Sequence, residues 1–214
     1  MERRPYGAVV HKDPETGEET IRLEEREAIP LLINAETGAI INSIRSSLDV
    51  LANVLAERNG STNPREVRFP IARSVDGFES GKRGGRNAIK ALSSSDQSII
   101  EKLKPYRGGN DLLYALHHLD IVRKHQRLIS VSASARGIYF FNWAAAPQTD
   151  LSYAGTPLEH GTVLARVPRG SNYQVKLRLE VTLSEAGILS GSPIASSLRK
   201  LAGHASSIIK LFDN

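Results

Sequence analysis

Two rows of polar side chains in this sequence have the types and the spacing to do chemistry together. Each row recurs at steps of three or four residues, which places its members on one face of an α-helix. The rows are Asn42, Arg45, Asp49 and Asn53, and His117, Asp120, Lys124 and Arg127. If the two helices pack antiparallel, the sequence predicts that both rows meet as one cluster of amide, guanidinium, carboxylate and imidazole groups.

Such a cluster fits two kinds of role. In a ribonuclease or phosphoryl-transfer site, Arg45 would stabilise the charged phosphate and His125 would act as general acid or base. Asp49 or Asp120 would orient that histidine. In a scaffold, Arg45 would pair with Asp120 and Asp49 with Lys124, and these salt bridges would fix the register of the two helices. Spacing alone leaves both roles open.

Metal and cofactor chemistry find little support in the sequence. The chain contains no cysteine, which excludes thiolate catalysis, disulfides and cysteine-ligated metals. Metal-ligating residue types are present, but without a recognised ligand spacing: His117 or His118, Asp49, Asp120 and His125. A Walker loop, a dinucleotide fingerprint, a nucleophile elbow and a His-Glu-x-x-His helix are all missing. We therefore predict no metal and no cofactor.

The positive charge is concentrated in the middle of the chain. The net charge of the 214 residues is +5, whereas residues 58–136 alone carry +8, residues 1–57 carry −5 and residues 137–214 carry +2. A basic segment attracts phosphate groups, although the same pattern arises when segments of opposite charge pack together. The candidate binding residues are Asn42, Arg45, Asp49, Lys82, Arg83, Arg86, His117, Asp120, Lys124, His125 and Arg127.

Helical periodicity dominates from residue 30 to residue 130, after a polar hairpin predicted over residues 6–25. The spacing predicts a helix from Pro30 to about residue 57, with Gly38 as a point of weakness. An irregular segment with at most one short helix follows over residues 61–85. A short helix capped by Ser94 and a long helix from Asn110 to about residue 127 come next, separated by a turn at Gly108-Gly109.

Beyond Leu128 the apolar period changes to two, which indicates β-structure. We predict a hairpin turned at Arg136-Gly137, a strand region over residues 158–168 and a strand over residues 173–184. A final helix begins at Ser192-Pro193. The chain is thus expected to form a single α+β domain over residues 1–214, helical over about 30–130 and mainly β over about 131–214. Its antiparallel sheet of about four to six strands packs with two long helices, a short helix and the C-terminal helix.

The apolar runs bear on where the protein works. The longest of them, such as residues 29–33 and 138–141, are too short to cross a bilayer. The first residues lack the apolar core of a signal peptide, and the absence of cysteine suits a reducing compartment. We expect a cytoplasmic protein without a membrane partner.

Four stretches of the chain also carry a resemblance to a known group of proteins. They are Asn42–Ala52, Phe69-Pro70-Ile71, Leu103-Lys104-Pro105-Tyr106, and Leu116–Asp120 followed by Lys124–Arg127. In this order they resemble a family of uncharacterised bacterial proteins, whose members carry a helix of the form Asn-Leu-Arg-Ser-Ala-Leu-Asp-His-Leu-Ala and a later Leu-Asp-x-x-x-Lys-His-Arg motif. The resemblance spans roughly residues 30–130.

The first of these motifs is in turn similar to that of HEPN domains. In those helical proteins an arginine, followed four to six residues later by a histidine, cleaves RNA. The resemblance makes Arg45 the arginine, but Val50 occupies the histidine position, and valine cannot transfer a proton.

These observations favour a non-catalytic module that binds RNA, a nucleotide or a protein partner, including a second copy of the chain, through the basic middle segment. One alternative is a metal-independent HEPN-like ribonuclease or toxin that uses Arg45 and His125. A second alternative is a structural or assembly module in which the polar cluster only fixes helix register.

Overall fold

The protein has an α+β fold, as the sequence predicts. The computed structural model describes residues 5–80, 85–141, 148–149, 158–167, 174–185 and 187–213. The chain divides into two compact units, described separately below. The β unit comprises Met1–Ile33, Ser130–Ser184 and Ser190–Ile194, and the helical unit comprises Asn34–Ile129, Glu185–Leu189 and Ala195–Asn214. None of the described helices is both long and apolar enough to cross a membrane.

Within its described residues, the β unit contains two antiparallel sheets. Its strands are β1 (Tyr6–Lys12), β2 (Glu19–Glu25), β3 (Val131–Phe141), β4 (Gln148–Thr149), β5 (Val163–Val167) and β6 (Gln174–Leu183). The order β1-β2-β5-β4 forms one sheet, and β3 pairs with β6 in the other. Ile21, Leu164 and Val167 are fully buried in the core of this unit. The predicted N-terminal hairpin is observed, closed by Asp13, whose carboxylate accepts from the amides of Glu15 and Thr16.

The hairpin predicted at Arg136-Gly137 is wrong, because β3 continues through these residues as one strand. Ala135 pairs with Leu179 and Gly137 pairs with Arg178, so Arg136 is the extra residue of a β-bulge. The guanidinium of Arg136 reaches Glu180 on the partner strand at 2.9 Å. The long strand β6 pairs with β3 on both sides of the bulge, and this tertiary pairing overrides the local turn signal.

The helical unit is built from five α-helices within its described residues. They are α1 (Leu31–Arg58, whose first turn belongs to the β unit), α2 (Val75–Ser80), α3 (Ser94–Lys102), α4 (Asp111–His125) and α5 (Ile194–Ile209). Asn110 caps α4 as predicted, since its side chain accepts from the amide of Leu113. The cap of α3 is Ser93 and not Ser94, because the Ser93 hydroxyl accepts from the amide of Asp96.

Helices α1 and α4 run antiparallel. The side-chain amide of Asn34 donates to the carbonyl of Ile129 at 2.7 Å, and Arg123 donates to Asn42 at 2.8 Å, so rising numbers on α1 meet falling numbers on α4 and the residues after it. Gly38 does not break α1. A Cβ at Gly38 would lie 2.8 Å from Cδ of Arg123, so glycine leaves room for the arginine stem to cross the helix.

Candidate functional site

Arg45 and Asp49 hold an extended segment of the chain against α1. The guanidinium of Arg45 donates to the Asp49 carboxylate at 2.8 Å and to the carbonyl of Phe69 at 2.9 Å. The same carboxylate accepts from the amide of Phe69 at 3.0 Å. Arg45 is only 5% exposed and Phe69 is 1% exposed. The pair therefore satisfies both backbone groups of a buried residue that belongs to no helix or strand.

Asn53, one turn further along α1, extends this attachment. Its side-chain amide donates to the carbonyl of Val67. Three polar residues of α1 thus bind the backbone of residues 67–69, and the polar row recognised in the sequence acts as a set of anchors. Because the guanidinium of Arg45 is buried and already bound, it faces a peptide carbonyl and has no open approach for a phosphate.

Asp120 and Lys124 of the second polar row also form an ion pair within their own helix. Asp120 is 4% exposed, and its carboxylate forms ion pairs with Lys124 at 2.5 Å and Arg123 at 3.4 Å. The predicted bridges from Arg45 to Asp120 and from Asp49 to Lys124 are therefore wrong. Each charge finds its partner three or four residues away on its own helix, where the side chains are already neighbours.

His117, the first member of the second row, lies within reach of charges from both rows. It is half-buried, and it experiences the charges of Arg45 and Asp49 from α1 and of Asp120 and Lys124 from α4. Burial, reinforced by the Arg45 guanidinium and opposed by the two carboxylates, lowers the pKa of His117 to about 4. The imidazole is thus neutral at pH 7 and adds no charge to a cluster that is already balanced.

The lowered pKa of His117 makes stability depend on pH. The unfolded chain has a histidine pKa near 6.5, so between pH 6.5 and about 4 it binds a proton that the folded chain does not. The free energy of unfolding should therefore fall as the pH is lowered through this window. We expect His117→Asn to flatten the difference in melting temperature between pH 7.5 and pH 5.0.

His204, whose pKa is also lowered, serves as the internal control for this measurement. Burial lowers the pKa of His204 in the parent protein and in His117→Asn alike. Its contribution to the pH dependence of stability therefore cancels when the two proteins are compared. An unchanged pH dependence in His117→Asn would contradict the assignment.

The remaining candidate residues do not join the cluster. His125 is exposed, forms no hydrogen bond or ion pair with the described residues, and lies about 12 Å along the α4 axis from His117. Arg127 pairs with Glu185 at 3.2 Å, and Arg86 pairs with Glu101 at 3.0 Å. Val50, at the histidine position of the HEPN-like motif, is 60% exposed. Lys82 and Arg83 lie outside the described residues.

Exposed cations, which we call the basic strip, lie on residues 65–73, which include the anchored backbone, and on residues 102–107 at the end of α3 and in the turn that follows it. Its members are Arg65, Arg68, Arg73, Lys102, Lys104 and Arg107. None of the six forms an ion pair within the described part of the chain. The exposed carboxylates of Glu66 and Asp76 lie near the strip in the sequence, and neither pairs with a strip cation.

Two contacts join the halves of the basic strip. The amide of Ala72 donates to the carbonyl of Pro105 at 2.9 Å, and Ala72 forms a parallel bridge with Tyr106. Arg73 therefore lies beside the α3–α4 turn that carries Lys104 and Arg107. The turn is tight: Gly108 has φ of 82°, and a Cβ at Gly109 would meet the carbonyl of Lys104 at 2.6 Å.

Sequence reasoning found the polar rows but missed both Arg123 and the strip. Arg123 bridges Asn42 on α1 and Asp120 on α4, and nothing in its position among the α4 residues distinguishes it. The cations of the strip come from segments some thirty residues apart. The +8 charge of residues 58–136 was the available signal, and it did not specify which of the 15 Lys and Arg residues remain unpaired.

Comparison of the chain with models of known protein families, with curated proteins and with solved structures finds no match. Within the described ranges, no group of three or more histidine and carboxylate side chains is arranged to hold a metal ion. The candidate site therefore rests on the geometry of the helical unit alone.

Proposed function

We propose that this protein is a non-catalytic binding module that holds RNA on the basic strip of its helical unit. The observation that carries the proposal is a set of six exposed cations that form no ion pair with the described residues, on two segments that meet where Ala72 pairs with Tyr106. Unpaired surface cations release condensed counterions when they meet phosphates, which favours a polyanion. Six cations from two segments exceed what one phosphate can contact, so a strand with many phosphates suits the strip better than a single nucleotide.

The polar cluster supports a positioning role within this proposal. Arg45, Asp49 and Asn53 bind the backbone of residues 67–69, which lies between the strip cations Arg65 and Arg73. Anchoring that backbone lowers the entropy lost when a strand binds. The ribonuclease alternative gains no comparable support, because Arg45 is buried and His125 lies apart from it.

The proposal is tested with the unmodified protein and a fluorescently labelled single-stranded RNA of about 20 nucleotides. We expect binding whose logarithmic affinity falls linearly with the logarithm of salt concentration, by about 0.7 for each phosphate contact. The RNA should remain full length after incubation. No binding at 50 mM salt, or binding that does not respond to salt, would overturn the proposal. Cleavage of the RNA would instead support the HEPN-like alternative.

A further inference from the structure

A cavity of about 370 Å³ lies in the helical unit at the α4 end of the basic strip. Its walls come from the turn before α4, from the first two turns of α4 and from a 3-10 turn at Gly187–Leu189. The residues that give it chemical character are Arg107, Asp111, Tyr114, His118 and Ile188. Arg107 belongs to both the cavity and the strip, so a strand that follows the strip arrives at the cavity.

The cavity has flat aromatic and aliphatic walls. The rings of Tyr114 and His118 are nearly parallel, with 15° between their planes and 6.2 Å between their centroids, and both side chains are half-buried. Ile188 is 56% exposed in the same cavity. Aromatic side chains of this kind stack with bases that are splayed out of a single strand, and the cavity is large enough for one base and its sugar.

Asp111 adds a hydrogen-bond acceptor to the cavity. One carboxylate oxygen accepts from the amide of Gly108 at 2.7 Å, which fixes the side chain, and no cation pairs with Asp111 in the described part of the chain. A carboxylate accepts hydrogen bonds from the exocyclic amino group of a base. It repels the carbonyl oxygen that uracil carries at the position where cytosine carries its amino group.

We propose that this cavity is a subsite for one unstacked, amino-bearing base of an RNA strand. The inference rests on the proposed function, because the strip must hold the strand before a base enters. Tyr114 and His118 stack with the base, Asp111 accepts from its amino group, and Arg107 contacts the adjoining phosphate.

The experiment compares oligocytidylate with oligouridylate of 12 nucleotides at low and high salt. We expect the parent protein to bind oligocytidylate at least fivefold more tightly, and Asp111→Asn to bring the two affinities together. Tyr114→Ala should weaken oligocytidylate binding by roughly 5- to 100-fold, the range found for loss of one stacked base. Tyr114→Phe keeps the ring and should bind within twofold of the parent.

Ile188→Glu provides a second variant that does not depend on a half-buried side chain. Because Ile188 is largely exposed, the substitution leaves the fold intact, and the new charge at the cavity wall should weaken binding at least fivefold. If Tyr114→Ala and Ile188→Glu bind as the parent does while salt-dependent binding persists, the subsite is overturned and the RNA-binding proposal stands. If the parent itself does not bind, both fail.

Discussion

Replacing Arg45 with alanine should lower the melting temperature by roughly 5–12 °C, the largest single-residue effect that we expect in the helical unit. The substitution leaves the Asp49 carboxylate without its cation and the buried carbonyl of Phe69 without its donor. Breaking a buried pair costs about 3–5 kcal/mol, and because the Asp49 side chain is 22% exposed we expect roughly 2–4 kcal/mol. Thermal unfolding followed by circular dichroism at 222 nm measures this.

Arg86→Ala is the matched control for Arg45→Ala. Arg86 also pairs with a carboxylate, that of Glu101 at 3.0 Å, but both side chains are substantially exposed. Surface pairs of this kind contribute at most about 1 kcal/mol, so the melting temperature should change little. Arg45→Lys should recover only part of the loss, because an ammonium lacks the planar fork that reaches Asp49 and Phe69 together. Equal melting temperatures for Arg45→Ala and the parent would contradict the anchoring role.

The triple substitution of Arg65, Arg68 and Arg73 by alanine should weaken RNA binding by roughly 100-fold at 0.1 M salt. Each lost phosphate contact removes about 0.7 from the salt slope for a single strand, so the slope should fall by about 2. The three side chains are exposed and form no ion pair within the described residues, and stability should therefore change little. Fluorescence anisotropy at several salt concentrations gives both quantities.

A charge-matched control is offered by Arg199, Lys200 and Lys210. These three cations are also exposed and form no ion pair within the described residues, but they lie on α5 and the turn that follows it. Replacing all three by alanine removes the same net charge without changing any residue of the strip, and we expect binding within about threefold of the parent. If both triple variants lose affinity equally, net charge and not the strip is responsible.

Most helices were predictable because their signals are local. The apolar stripe of α1, the Asn110 cap of α4 and the alternation in β6 each depend on residues within one element. The errors arose where a distant partner decided the outcome. Arg136-Gly137 has turn composition, yet pairing with β6 carries the chain straight through it as a bulge.

In the candidate site, too, the features set by nearby residues were predictable and those set by distant residues were not. The sequence identified the polar members of both rows from their spacing, and the structure brings Arg45, Asp49, His117, Asp120 and Lys124 within electrostatic reach of one another. The sequence did not identify the groups that these side chains bind. Arg45 and Asp49 bind the backbone carbonyl and amide of Phe69, and the pattern of side chains in the sequence does not reveal backbone partners. The sequence therefore did not distinguish an anchoring role from a catalytic one.

By itself, the sequence determined an α+β chain with long amphipathic helices, a basic middle segment and no thiol chemistry, since composition and periodicity act over short distances. Only the tertiary structure decided which charges are neutralised and which remain free. Whether a cation forms an ion pair depends on the carboxylates that folding brings near it. Arg45 is buried and paired with Asp49, whereas the cations of the basic strip are exposed and form no ion pair with the described residues. That distribution of free charge is a property of the packed molecule, and it is the basis of the binding role that we propose for the strip.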